Sequence, residues 1–266
     1  DAFTIKPLAF YQGGVIMKML KKAASIALAS AMVFSLAACG SNGGGSDEGN
    51  SDATTFKIGG IGPITGDTAI YGTAVQNGIQ LAVDEINADG GINGYQIEYK
   101  FEDDQSDSEK SVNAYNTLKD WGMQMLVGTV TSTPCTAVVE ETHADNMFQL
   151  TPSATAVDSI QYDNAFRMCF SDPSQGTVSA DYIADNGLAT KVAVIYDSSD
   201  TYSTGIYQNF ASEAEAKGLD IVAAEAFTKD SNTDFSVQIQ KAKDGGAELV
   251  FLPIYYQQAS LILAQA

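Results

Sequence analysis

From Phe56 onward, apolar positions fall into short runs and helical faces that alternate along the chain. Phe56 to Gly62 is an apolar run ending in glycines, the pattern of a buried strand that opens into a loop. Val75, Ile79, Ala82, Val83 and Ile86 then share one face of a helix that stops at Asp89-Gly90-Gly91. Tyr95, Ile97, Tyr99 and Phe101 alternate with Gln96, Glu98 and Lys100, which predicts a strand with one buried and one polar face. A helix around Ser108–Trp121, a strand at Met123–Val127, a helix opened by Thr133-Pro134 and strands at Phe148–Thr151 and Ala165–Met168 follow. Thr133 suits an N-cap and Pro134 a first helical position. The β-α-β-α order predicts an α/β fold with a parallel sheet and helices on both faces.

Around Phe170-Ser-Asp-Pro173 the pattern pauses, then restarts with helices at Ser174–Asn186, Thr204–Lys217 and Asp234–Asp244 and strands at Val192–Tyr196, Leu219–Ala226 and Leu249–Pro253. Two α/β lobes are expected, over residues 56–170 and 171–266. The last helical stretch, Gln257–Ala266, carries no Gly, Pro or basic cap, so the second lobe is expected to be truncated.

The first 55 residues are of another kind. Met17-Lys-Met-Leu-Lys-Lys22 is a cationic start, Ala23 to Ala38 is apolar or small, and Leu36-Ala37-Ala38-Cys39 closes the run. A run this short predicts a removable export signal over 17–38 rather than a membrane span. It resembles a bacterial lipoprotein signal, whose L-A-A-C box is cut before the Cys so that Cys39 would carry diacylglycerol; the alternative is an ordinary secretory signal with an accidental Cys. Residues 1–16 contain no Met and read as an untranslated upstream leader. Residues 39–55, mostly Gly, Ser, Asn, Asp and Thr, read as a flexible tether.

Charge narrows the partners. The chain holds 33 acidic and 14 basic residues, a net −19, and residues 39–266 alone carry −22. A nucleic-acid binder, or a body that seeks an anionic membrane, needs a basic face for counterion release. Any membrane association is therefore expected through a lipid anchor alone.

In open parallel sheets, ligands bind outside the carboxyl ends of the strands, where helix N-termini offer free N–H groups. Four such loops are rich in hydroxyls: 62–71, 128–134, 151–155 and 197–203. Neutral donors of this kind suit a carboxylate, with Tyr71, Tyr202 and Tyr255 as flat walls.

At these residues a resemblance appears. The segments Ile58-Gly-Gly-Ile-Gly-Pro-Ile-Thr-Gly66, Asp84-Glu-Ile-Asn-Ala-Asp-Gly-Gly-Ile-Asn-Gly94, Val127-Gly128 and Thr151-Pro-Ser-Ala-Thr155 resemble the extracytoplasmic substrate-binding proteins of branched-chain amino-acid ABC transporters. The resemblance implies a two-lobed fold of the type I periplasmic-binding-protein kind that closes on a small amino acid and delivers it, as a monomer, to a permease. It implies an aromatic role for Tyr71 and a carboxylate contact through the hydroxyl and N–H of Ser132. Ser153 and Thr155 match positions meeting the ammonium through a main-chain carbonyl and the carboxylate, and Tyr202 and Tyr255 match second-lobe aromatics. Tyr256 could replace Tyr255 with a one-residue shift in register. Two departures stand out: the family's disulfide would need Cys near Ser106 and Thr131, and its acidic ammonium partner falls beyond residue 266.

Other readings of the same residues are plainer. Ser132, Thr133 and Thr155 also suit helix caps. Asp103-Asp104-Gln-Ser-Asp107 lacks the Gly and terminal Glu of a calcium loop and reads as a solvated acidic loop. His143 reads as a surface residue. Cys135 and Cys169 have no assigned pairing, and Cys135 sits at a helix start that favours thiolate. Gly60-Ile-Gly62-Pro-Ile-Thr65 departs from a dinucleotide fingerprint, and no phosphate-binding loop or G-x-S-x-G occurs. The one His stands near no nucleophile motif, so catalysis, cofactor and metal are not expected. A ligand-sensing receptor domain and an amide- or urea-binding transport protein are the alternative functions.

Overall fold

The structure, a computed structural model, describes residues 55–266. The leader, the 17–38 signal, Cys39 and the tether as far as residue 54 lie outside the described residues.

Among the described residues eight strands alternate with seven helices, and two parallel sheets form. The first comprises β1 (Thr55–Gly62), β2 (Gln96–Asp103), β3 (Met125–Gly128), β4 (Gln149–Thr151) and β5 (Ala165–Arg167), in the order β2-β1-β3-β4-β5. The second comprises β6 (Lys191–Asp197), β7 (Asp220–Phe227) and β8 (Leu249–Phe251), in the order β7-β6-β8. The helices are α1 (Ala69–Ala88), α2 (Ser108–Asp120), α3 (Ser132–Ala144), α4 (Asp172–Asp185), α5 (Thr201–Lys217), α6 (Ser236–Asp244) and α7 (Tyr256–Gln265). A short 3-10 helix, Val157–Ile160, was not foreseen. Residues 168–171 connect the lobes between β5 and α4.

The first core packs Ile61 and Leu126 of the sheet against Tyr115 and Leu118 of α2 and Val138 of α3, all fully buried. The second joins Val192 and Val194 of β6 to Phe210 of α5 and Ala180 of α4. The alternation expected from Tyr95 to Phe101 is only partly realised. Tyr95 lies before β2 and is half exposed, whereas Ile97 is buried and gripped through its backbone by Asn87. On α1 only Val83 of the expected apolar face is fully buried, because the helix packs along the β1–β2 end of the sheet.

Two helix starts differ from expectation in a way that shapes the site. Helix α1 begins at Ala69, a turn and a half before Val75, and carries Tyr71 in its first turn. Gly72 permits this, since a Cβ there would stand 1.8 Å from the Pro63 carbonyl oxygen. Helix α3 begins at Ser132 with Thr131 at the N-cap, so Thr133 is not the cap; its hydroxyl reaches the second lobe instead. At α5, Asp200 accepts from the Ser203 N–H and Gly218 ends the helix at φ 74°, as the capping rules require.

The acidic loop after β2 is not simply solvated. Asp104 is fully buried and accepts from the Ser106 N–H and Ser111 hydroxyl, Asp103 accepts from the N–H groups of Ile64 and Gln105, and Asp107 caps α2. These carboxylates serve as acceptors for loop N–H groups that no sheet partner reaches.

Candidate functional site

In both sheets, consecutive strands leave β1 and β6 in opposite directions, which opens a crevice at the carboxyl ends of β1 and β3 and of β6 and β8. A cavity of about 180 Å³ lies there, lined by Tyr71, Ser132, Ser153, Thr155, Tyr202 and Tyr255 together with Val130, Thr131, Phe170 and Gln175. All six residues singled out in the sequence therefore meet around one cavity. Drug-sized ligands occupy pockets of roughly 300–1,000 Å³, so this one suits a smaller molecule.

Each hydroxyl has a distinct state. Ser132 Oγ accepts from the Thr155 and Ala156 N–H groups at 3.1 and 3.2 Å, which leaves its proton free to donate. Ser153 Oγ donates to the Val130 carbonyl at 2.7 Å, so its proton is already engaged. Thr155 Oγ1 is buried with no hydrogen-bond partner, on a residue only 5% exposed. The first turn of α3 contributes the positive end of its dipole.

The aromatic wall is continuous across the lobes. Tyr255 stacks on Tyr202 at 5.0 Å between ring centroids and meets Tyr71 at 5.5 Å in a tilted arrangement. Burial raises the Tyr255 phenol well above its ordinary value, and Tyr202 to about 12, so both rings present neutral hydroxyls. Tyr256, the alternative by register, is half exposed; it lines an apolar groove beside Ile70 and Val75, and its N–H reaches Tyr71 Oη at 3.4 Å.

Hydrogen bonds cross between the lobes beside the cavity. The Thr133 hydroxyl donates to Asp200 Oδ1 at 2.8 Å and accepts from the Thr201 N–H at 2.9 Å. Gln258 Nε2 reaches Asp67 Oδ2 at 3.5 Å. Burial raises Asp200 and Asp172 to about 6, partly countered at Asp200 by the hydroxyl of Thr133. Neither carboxylate lines the cavity.

Where the family resemblance would call for a disulfide, Thr131 Oγ1 donates to Ser106 Oγ at 3.0 Å. Cys135 and Cys169 are free thiols, the first fully buried. The expectation that Cys135 favours thiolate is overturned, because desolvation outweighs the helix start and raises its pKa. His143 stacks face to face on Tyr162 at 3.8 Å. Among the described residues no cluster of His, Cys, Asp or Glu could hold a metal, and no helix is long and apolar enough to cross a membrane.

Sequence reasoning missed Val130 and Phe170, which connecting segments bring to the cavity, Gln175 in the first turn of α4, and Arg167, whose Nη1 donates to the carbonyls of Thr155 and Ala156. A lone arginine beside the interlobe connector was the available signal for the last.

Residues 55–266 match the family model described as periplasmic binding protein. A Leu/Ile/Val-binding protein homologue of Brucella melitensis is 34% identical over 212 residues, covering 79% of this chain and 57% of that protein. A leucine-, isoleucine-, valine-, threonine- and alanine-binding protein of Pseudomonas aeruginosa is 32% identical over 219 residues, with 80% and 57% covered. The branched-chain amino acid transporter substrate-binding protein of Streptococcus pneumoniae, solved with isoleucine, is 34% identical at a TM-score of 0.74, covering 80% of this chain and 60% of that one. The chain thus spans less than two thirds of the length of these relatives.

Proposed function

We propose, for a chain that belongs to the periplasmic binding protein family over residues 55–266, that the interlobe cavity captures a branched-chain or related small amino acid for delivery to an ABC transporter permease. The observation that carries this reading is the Thr155 hydroxyl, buried in the cavity wall with no partner. Leaving a buried hydroxyl unsatisfied costs about 1–3 kcal/mol, a cost that a ligand carboxylate would remove by accepting its proton. The free proton of Ser132 Oγ and the N-terminus of α3 supply further complements to that negative charge. The Ser153 hydroxyl, already donating to Val130, leaves only acceptor groups to offer an ammonium. Tyr71, Tyr202 and Tyr255 enclose the apolar part.

Because the walls come from both lobes, ligand contact favours the arrangement in which the lobes meet, and that arrangement is what a permease would recognise. The body acts as an extracytoplasmic monomer held to the membrane through lipid on Cys39, and it performs no chemistry on its cargo.

Calorimetric titration of the full-length protein with leucine, isoleucine, valine, threonine, alanine, urea and short amides tests the assignment. Binding of at least one aliphatic amino acid is expected, weakened roughly 10–100-fold by Thr155→Val, the equivalent of one hydrogen bond to a charged group. Absence of binding across the panel would reject it.

A further inference from the structure

Arg167 is the only arginine in a chain with 33 acidic side chains, yet among the described residues it joins no ion pair. Its Nη1 instead donates to the carbonyls of Thr155 at 2.8 Å and Ala156 at 3.0 Å. The N–H groups of the same two residues are held by Ser132 Oγ, and the Thr155 carbonyl accepts a second bond from the Asp172 N–H at 2.9 Å. Residues 155 and 156 are therefore fixed through both their N–H and their C=O groups, and the unpartnered polar group of Thr155 is its hydroxyl. A guanidinium suits this place, since it stays charged when half-buried, is weakly hydrated and presents its donors in a plane. Arg167 also closes β5, directly before the connector into the second lobe, while Asp172 opens α4 directly after it.

We propose that Arg167 is a positioning residue for the cavity. By holding the carbonyls of Thr155 and Ala156 it sets the direction of the Thr155 hydroxyl and ties the ligand loop to the first end of the interlobe connector, while the Asp172 N–H ties the same loop to the other end. Ligand contact at Thr155 is thereby linked to the orientation of the second lobe without Arg167 touching the ligand. The inference rests on reading the cavity as an amino-acid site, but its geometric part can be tested without ligand.

Two measurements on the full-length protein separate these parts: amide hydrogen exchange in the absence of ligand, and calorimetric titration with L-isoleucine. Arg167→Met keeps most of the stem and removes the donors, whereas Arg167→Lys keeps a donating cation. In the Met variant, exchange at the Thr155 and Ala156 amides should quicken at least tenfold, with the Val138 and Leu126 amides unchanged. The Lys variant should return it to within threefold of the parent. The isoleucine Kd should rise at least tenfold in the Met variant. If that variant does not fold, Arg167→Gln, whose amide ends nearer the backbone, takes its place with the same expectations. Exchange at 155–156 within twofold of the parent, or quickened equally at Val138 and Leu126, would overturn the positioning role. A loosened loop with unchanged isoleucine affinity would overturn its link to binding. A loop that responds as stated in a parent that binds no isoleucine would uphold the positioning role and reject the ligand reading instead.

Discussion

The contact between Thr133 and Asp200 offers a way to change ligand affinity without touching the cavity. Thr133→Val preserves side-chain shape and removes a hydroxyl that donates to Asp200 Oδ1 at 2.8 Å and accepts from the Thr201 N–H at 2.9 Å. Both bonds run from α3 of the first lobe to the start of α5 in the second, so they exist only while the lobes meet. A hydrogen bond to a charged group contributes about 1.5–3 kcal/mol, and the neutral bond adds about 1. Thr133 and Asp200 are each only partly buried, so water recovers part of the loss and about 1.5–3 kcal/mol is the net expectation. If binding draws on the population in which the lobes meet, that converts to a Kd roughly 10–100-fold higher. Calorimetry with L-isoleucine on parent, Thr133→Val and Thr133→Ser supplies the test, the serine variant retaining the hydroxyl and most of the affinity. A valine variant that binds within twofold of the parent would refute the claim that this contact contributes to the bound arrangement.

Other consequences follow from single features. Gly72→Ala places a Cβ 1.8 Å from the Pro63 carbonyl oxygen, and overpacking of that kind costs about 1–3 kcal/mol; a urea midpoint equal to the parent's would contradict it. The pair Ser106→Cys with Thr131→Cys, substituted where the hydroxyls now lie 3.0 Å apart, should oxidise to a disulfide and stabilise the fold by about 3–4 kcal/mol in the chain-entropy account. Two additional titratable thiols after oxidation would count against it. Asp104, Asp172 and Asp200 are each raised to about 6 by burial, so as pH falls the folded state takes up protons before the unfolded state does. Their contribution to stability is complete below about 3.8 and is lost as pH rises through about 6, whereas the lowered Asp103, Asp145, Asp234 and Glu248 lose theirs only in more acid solution. The urea midpoint should therefore be higher at pH 5 than at pH 7.5, and the reverse order would show that these carboxyls are not shifted as described.

The order of strands and helices was legible because buried strands and helix faces leave periodic apolar patterns, and the loops that line the cavity were legible because a parallel sheet puts its loops at one end, while the family resemblance picked out Ser132, Ser153 and Thr155 within them. What periodicity cannot carry is the target of a polar side chain. Thr133 has the composition of a cap, but Thr131 occupies that position and Thr133 spans the lobes. Asp104 sits in an acidic run that reads as solvated, yet it is buried because unpaired loop N–H groups need an acceptor. Cys135 stands in the first turn of a helix, but burial dominates its titration. Arg167 escaped notice because its partners are backbone carbonyls, which leave no trace in side-chain spacing.

On the proposed function, the interlobe cavity holds the carboxylate of an amino acid against Thr155, and a crystal structure of the full-length protein grown with L-isoleucine would show whether it does. The ligand is expected between Tyr71, Tyr202 and Tyr255, with a carboxylate oxygen within about 2.6–3.2 Å of Thr155 Oγ1. Isoleucine bound elsewhere, or bound in the cavity with the Thr155 hydroxyl still unpartnered, would contradict it.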